Sequence, residues 1–187
     1  MSSYLQAGKS APKFVAEDVF GKPVRLEDYK NTYVLVVFMR YAGCPWCNLA
    51  IHRLSMEYKL LAKSGCRVIA FVQSEPDNVR KNIYDRHALR PPFAIIADKD
   101  RHVYDRYKVK ESKIALGRSL KKLPYWVQAV RKHGFRQATV DGNVFMVPAM
   151  FLISPDSQEV VMAKYAQDFY EHETFTAVYQ HLNFRES

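Results

Sequence analysis

The apolar and polar positions of the chain follow two periods. Tyr33 to Met39 is an unbroken apolar, β-branched run, the pattern of a strand buried on both faces. From about Cys47 the period changes: Ile51, Leu54, Tyr58 and Leu61 step by three and four residues onto one helical face, and Ser64-Gly65 stops it. Arg67 to Val72 predicts a second strand, Pro76 to about His87 a helix, and Phe93 to Ala97 a third strand. Before these, Ala11 to Tyr29 reads as short strands and turns, with the turn residues at Phe20-Gly21-Lys22-Pro23. Later, Met150–Ser154 and Val160–Ala163 flank Pro155-Asp156-Ser157-Gln158, which predicts a hairpin. A last helix is expected from roughly Phe169 to Phe184, with Phe175, Val178, Tyr179 and Leu182 inward and Asp168 and Glu171 as a capping box.

Strands alternating with helices imply an α/β fold with right-handed crossovers. At 187 residues and 48% apolar composition, one domain spanning 1–187 is expected, and a disordered chain is excluded. No run approaches the roughly 18 apolar residues of a membrane span. The start, Met1-Ser2-Ser3-Tyr4-Leu5-Gln6, has no charged and apolar leader pattern, which favours a cytoplasmic chain. The three cysteines form no closed disulfide framework, again the pattern of a reducing compartment.

The candidate chemistry lies at Cys44-Pro45-Trp46-Cys47, where a buried strand ends, a short loop passes Gly43 and a helix begins. A thiolate is the reactive form of cysteine, and the unpaired N–H groups and dipole of a helix start stabilise it. Arg40 lies close in sequence to add positive charge. A spacing of three lets the second sulfur close a ring with the first. Cys44, expected at the helix start and more exposed, is the candidate nucleophile; Cys47, a turn deeper, is the candidate resolving thiol. The competing readings are two packing cysteines, or a zinc site that lacks two of its usual four ligands. Trp46 is expected to be exposed, either facing a partner or filling a structural role. Cys66 reads as a buried, inert thiol, and the six histidines, without metal spacing, as surface or cap residues.

Beyond these residues, the chain resembles the thioredoxin-like superfamily and, within it, the peroxiredoxin-like group (alkyl hydroperoxide reductase and thiol-specific antioxidant). The resemblance is carried by Gly8-Lys9-Ser10-Ala11-Pro12-Lys13-Phe14, by Gly21-Lys22-Pro23-Val24-Arg25-Leu26 and by Val147-Pro148-Ala149-Met150-Phe151-Leu152-Ile153. The element order, with a basic insertion before the last hairpin, is similar to the peroxiredoxin-like-2 redox-regulatory proteins, which also carry Cys-x-x-Cys. The resemblance implies a thioredoxin-like fold: a central mixed sheet flanked by helices, an N-terminal hairpin extension and a basic helical insertion at about 108–140. It implies a cis-proline at Pro148 beside the cysteine pair, and no cofactor beyond a redox-active disulfide recycled by a thioredoxin or glutathione-type reductant. Peroxides or protein disulfides would be the oxidants. With Cys47 aligned to the family's peroxidatic cysteine, Arg40 stands where the proline of its motif should be and Cys44 where the threonine should be. Phe145-Met146-Val147-Pro148 lacks the family's late arginine. The implied activity is therefore a dithiol that reduces disulfides or, more slowly, peroxides.

The net charge of +9 is concentrated. Between Lys108 and Arg136 there are nine basic residues and one acid, Glu111. In the same stretch Leu116, Leu120, Leu123, Val127 and Val130 make an amphipathic stripe, with Pro124 kinking it or starting a second helix and Gly134 ending it. Either this insertion packs its apolar side on the sheet and solvates its charges, or Lys121, Lys122, Arg131 and Lys132 attract an acidic partner or an anionic surface. No nucleic-acid motif is present, and no nucleic-acid partner is expected. Three functions remain open at this point: a thiol-disulfide oxidoreductase with an antioxidant role, a redox-sensing interaction module, and an anion-binding scaffold with vestigial cysteines.

Overall fold

A computed structural model of the chain describes residues 4–170 and 175–182. It opens with a hairpin of β1 (Val15–Glu17) and β2 (Pro23–Arg25). The connecting turn is held by the Asp18 carboxylate, which accepts from the Phe20 and Lys22 N–H groups, and by Gly21 at φ 81°. The central strand β3 (Tyr33–Phe38) leads into helix α1 (Pro45–Lys63), and β4 (Cys66–Val72) follows. Next come a short helix α2 (Pro76–Val79), strand β5 (Ala94–Ala97) and helix α3 (His102–Arg106). The insertion supplies α4 (Lys113–Ser119) and α5 (Leu123–His133). The chain closes with β6 (Ala149–Ile153), β7 (Val160–Tyr165) and α6 (Phe175–His181).

Five strands form one mixed sheet in the order β5-β4-β3-β6-β7. β3 runs parallel to β4 and antiparallel to β6, so it has neighbours on both sides, as its continuous apolar run predicts. Its side chains alternate between two cores. Leu35 and Val37 face Ile51 and Leu54 of α1; Val34, Val36 and Phe38 face Phe71, Tyr104, Tyr107 and Phe151 on the other side. This is the thioredoxin-like arrangement: a mixed sheet between helices, with the N-terminal hairpin and the helical insertion appended. Among the described residues, no helix is long and apolar enough to cross a membrane.

Several elements depart from the sequence expectations. α1 starts at Pro45, two residues early, because Pro45 presets the first helical φ and Cys44 is left extended at φ −79°, ψ 122°. The expected helix over Pro76–His87 is one α-turn followed by a π-turn at Arg80–Tyr84. The Asp168 carboxylate accepts from the Tyr170 N–H, and Phe169 and Tyr170, expected inside the last helix, are not helical; the described part of α6 is Phe175–His181. Glu171, His172 and Phe184 lie outside the described residues. The expected inner face of α6 holds: Val178 and Leu182 are buried, and Phe175 and Tyr179 pack against the same core.

The insertion departs most. Pro124 does start a second helix, and Gly134 at φ 70° ends it. Yet Leu116, Leu120 and Leu123 face solvent instead of the sheet, because Ala115 and Ser119 take the inward positions of α4. α5 meets α1 through Ala129 and Phe135, which pack on Leu49, Tyr170 and Trp46.

Candidate active site

The pair sits where β3 hands over to α1. Met39 and Arg40 continue the strand's register, with the Met39 N–H on the Phe71 carbonyl and the Gln73 N–H on the Arg40 carbonyl. The loop from Tyr41 to Cys44 is fixed from three directions. The Ala42 N–H donates to Ser74 Oγ at 2.8 Å. Asn48 Nδ2 donates to the Ala42 and Cys44 carbonyls at 2.7 and 3.0 Å. Asn48 Oδ1 in turn lies 2.8 Å from His87 Nε2, which must be the protonated nitrogen because an amide oxygen only accepts.

A strap formed by residues 136–147 lies across this loop. The Ala138 N–H donates to the Gly43 carbonyl at 3.0 Å. The Asp141 carboxylate accepts from Ser74 Oγ at 2.6 Å and from the Glu75 N–H at 2.9 Å. The Asn143 N–H donates to Gln73 Oε1 at 2.9 Å. Two glycines allow this approach. A Cβ on Gly43 would stand 2.5 Å from the Thr139 carbonyl oxygen, and one on Gly142 would overlap the Gln73 carbonyl oxygen. Cys44 is 1% exposed, as is Cys47, so the expectation of a more exposed Cys44 is corrected: its side chain belongs to the core cluster, and the strap packs on the adjoining Gly43 and, through the Val144 carbonyl, on Arg40.

The two sulfurs differ in acidity. Burial pushes the Cys44 thiol up, but the Cys47 thiol hydrogen-bonding to its anion, the Arg40 charge, and the Cys47 and Trp46 backbone N–H groups together bring it down to about 6. The neutral sulfur makes no capping hydrogen bond, so the N–H groups act on the charged form. Cys47 is held well above the ordinary thiol range by burial, by its hydrogen bond to Cys44 and by the Cys44 charge. Arg40 is itself buried. One guanidinium nitrogen lies 3.4 Å from Cys44 Sγ, another donates to the Val144 carbonyl, and the Phe169 ring lies 3.8 Å from its central carbon. Arg40 Nε has no hydrogen-bond partner, so this cation is balanced by the sulfur, one carbonyl and the Phe169 and Tyr41 rings.

The remaining expected site residues fall as follows. Pro45 occupies the first helical turn and is buried. Trp46 is half-buried rather than exposed: the insertion and Phe169 pack over it, and its indole N–H is sealed in without a partner. Pro148 precedes β6 and is buried, but every described peptide bond is trans, which corrects the expected cis-proline; Ala149 leads straight into pairing with Phe38. A cavity of about 640 Å³ beside Pro148, lined also by Tyr4, Lys110, Arg118 and Tyr165, includes neither cysteine. Cys66 is fully buried, and burial pushes its thiol up to about 12. Among the described residues no His, Cys, Asp or Glu cluster is placed to hold a metal. His87 is buried against Phe135, not on the surface as expected. Asn48, His87, Asp141, Gly142 and Phe169 are not among the site residues expected from sequence, which reads His87 as a surface or cap residue and Phe169 as a helix start. Asn48 was marked only by following Cys47, and the others lie 40 to 125 residues from the pair, roughly counted, with no local signal.

The sequence profile of the AhpC/TSA family matches residues 7–163. The chain is 32% identical over 107 residues to the thiol-disulfide oxidoreductase ResA of Bacillus thuringiensis, a match covering 56% of this chain and 59% of that relative. It therefore spans about three-fifths of the length of that relative. It is 29% identical over 115 residues to the peroxiredoxin Bcp of Escherichia coli, covering 62% of this chain and 72% of the relative. In fold it superposes on the peroxidoxin BcpB of Mycobacterium tuberculosis with a TM-score of 0.69 at 14% identity, over 98% of this chain and 100% of the other. It also superposes on a DsbE-type thiol:disulfide interchange protein of Chlorobium tepidum with a TM-score of 0.65 at 16% identity, over 95% and 98%. With the profile covering most of the chain and the cysteine pair standing at the strand–helix junction, this chain belongs to the AhpC/TSA family.

Proposed function

We propose that the protein is a thiol-dependent oxidoreductase that cycles Cys44 and Cys47 between dithiol and disulfide, with protein disulfides as its preferred oxidants and an antioxidant role in a reducing, cytoplasmic setting. The observation that carries this is the placement of Cys44 at the start of α1 with an Arg40 nitrogen 3.4 Å from its Sγ, which lowers it to about 6, while burial and the neighbouring Cys44 charge keep Cys47 protonated. At neutral pH that gives one nucleophile and one reserve proton donor.

Cys44 thiolate attacks one sulfur of a substrate disulfide, forming a mixed disulfide and expelling the other sulfur as a thiolate that takes up a proton. Bond formation removes the Cys44 charge, which was holding the Cys47 proton in place. Cys47 then loses its proton and attacks Cys44, closing the Cys44–Cys47 disulfide and releasing the second substrate thiol. Two electrons pass to the substrate, and an external thioredoxin or glutathione-type thiol returns them. With a peroxide, Cys44 would take one oxygen as a sulfenic acid, release water or an alcohol, and condense with Cys47 with loss of water. The preference for disulfides rests on what surrounds Cys44: Arg40 is committed to the sulfur, Val144 and Phe169, and among the described residues it is the cation that acts on Cys44. The relatives' names, thiol-disulfide oxidoreductase and peroxiredoxin, agree with the general class.

Stopped-flow oxidation of the reduced protein by a protein disulfide and by hydrogen peroxide tests this. The expected result is faster disulfide oxidation, with both reactions abolished in Cys44→Ser. Turnover retained in Cys44→Ser, or peroxide outrunning the disulfide by orders of magnitude, would overturn the assignment. The burial of both sulfurs favours one alternative, a redox switch that turns over slowly; a disulfide reaction too slow for single-turnover detection would select it.

A further inference from the structure

Large aliphatic side chains concentrate on the solvent side of the insertion. Ile114 is 72% exposed, Leu116 49%, Leu120 70% and Leu123 51%. Leu116, Leu120 and Leu123 recur at four and three residues, so they share one face of the consecutive α4 and α5 turns. This face cannot roll inward. Ser112 caps α4, and the inward positions Ala115 and Ser119 are seated against Val147 and Phe169, with Ser119 Oγ accepting the Phe169 N–H at 2.8 Å. The leucines are therefore held in water by the packing of their own helix.

Within the insertion itself, Lys108 to Arg136, nine basic residues face one acid. Lys113 and Lys121 are exposed next to the leucines in the chain, with Arg131 and Lys132 further along α5, while Arg118 donates to Gln167 Oε1. The insertion's single acid, Glu111, is already bridged to Arg101 at 2.6 Å from outside it. An exposed aliphatic row bordered by lysine and arginine complements an anionic lipid interface, where headgroups meet the cations and acyl chains meet the leucines. Nucleic acid would engage the cations through phosphates and leave the leucines in water.

We propose that the insertion docks on an anionic membrane surface, with Leu116, Leu120 and Leu123 entering the interface and Lys113 and Lys121 meeting the headgroups. The docking is peripheral and independent of the dithiol chemistry. Since Trp46 packs under the same insertion, a docked protein would hold its cysteine pair close to the membrane.

Co-sedimentation of the purified full chain with lipid vesicles tests the proposal. Vesicles of phosphatidylcholine with about 30% phosphatidylserine are expected to bind it, and vesicles of phosphatidylcholine alone to bind at least about fivefold less. The double variant Leu116→Ser/Leu120→Ser should lose at least about fivefold of the binding, and Lys113→Glu/Lys121→Glu a similar amount. Both should keep the parent's unfolding midpoint to within a few degrees, since these side chains are exposed. Cys44→Ser should bind like the parent, which separates this result from the fate of the proposed activity. Equal binding to both vesicle types, or a leucine variant that binds as the parent does, would overturn the proposal. So would binding to duplex DNA that is tighter than to vesicles and insensitive to the leucine substitutions.

Discussion

At the scale of single residues, the balance around Cys44 makes Arg40 an informative position. An opposite charge within a few ångströms of a thiolate lowers its pKa by about one to three units. Arg40→Met, which keeps the volume and removes the charge, should therefore move the Cys44 midpoint up from about 6 by about one to two units, read from thiolate absorbance near 240 nm. The rate at pH 7 is a poorer readout. Less thiolate is present, but a less acidic thiol is intrinsically more nucleophilic, and the two effects largely offset. The pH profile of alkylation separates them. The variant should be slower below about pH 7 and faster than the parent near about pH 9, where Cys44 is ionised in both. An unchanged midpoint would mean that the Cys47 thiol and the helix N–H groups set the acidity without Arg40.

At the scale of elements, the strap packs on Gly43 and Arg40, the neighbours of Cys44, so loosening it is expected to open access to the sulfur. The strap's closest approaches are backbone to backbone at Gly43 and Gly142, and backbone does not yield as a flexible side chain does. Gly142→Ala should push the strap off Gln73 and Tyr41, destabilise the protein by about 1–3 kcal/mol, and raise the alkylation rate of Cys44 relative to a denatured control. A variant as stable as the parent, with Cys44 equally protected, would show that the strap accommodates the extra methyl group. The strap also marks the limit of what the sequence displays. β3, α1 and the cysteine pair were legible because their signals are local: an unbroken apolar run, a change of period, a proline at a helix start. The mixed sheet was legible from alternation. The packing of the Cys44 loop was not, since its partners Ala138 and Asp141 lie about a hundred residues away without periodicity of their own. The insertion misled for a related reason. Its leucine stripe has the spacing of a core face, but the small side chains of Ala115 and Ser119 fit the narrow gap against Phe169, and a stripe alone does not say which face meets the protein.

At the scale of the whole molecule, His87 joins three parts that sequence keeps apart. It sits just past the π-turn, hydrogen-bonds Asn48 of α1, and stacks on Phe135 at the end of the insertion with ring centroids 4.4 Å apart. Its surroundings are cationic or neutral: Arg86 on its own segment, His52 on α1 and His133 on α5. Burial first, then the charges of His52, Arg86 and His133, lower its pKa to about 3. An unfolded histidine titrates near about 6.5. Between these values the unfolded chain binds a proton that the folded chain refuses, so folding stability rises with pH across that window. His87 thus adds stability that is fully present above about 6.5 and drains away as the pH falls toward about 3. The reduced pair works at higher pH. The lowered Cys44 makes stability increase from about 6 up to the unfolded thiol value, while the raised Cys47 removes stability above that value. The two windows barely overlap, so a histidine substitution isolates the first. In His87→Gln, which keeps a donor for Asn48 Oδ1 and cannot take the proton, the advantage of the parent over the variant should grow from pH 3 to about 6.5 and then level off. Urea unfolding of both proteins at a series of pH values measures that difference directly. A constant difference across the range would mean that His87 is protonated without unfolding its surroundings, and that the junction of α1, the π-turn and the insertion opens to water more readily than its packing indicates.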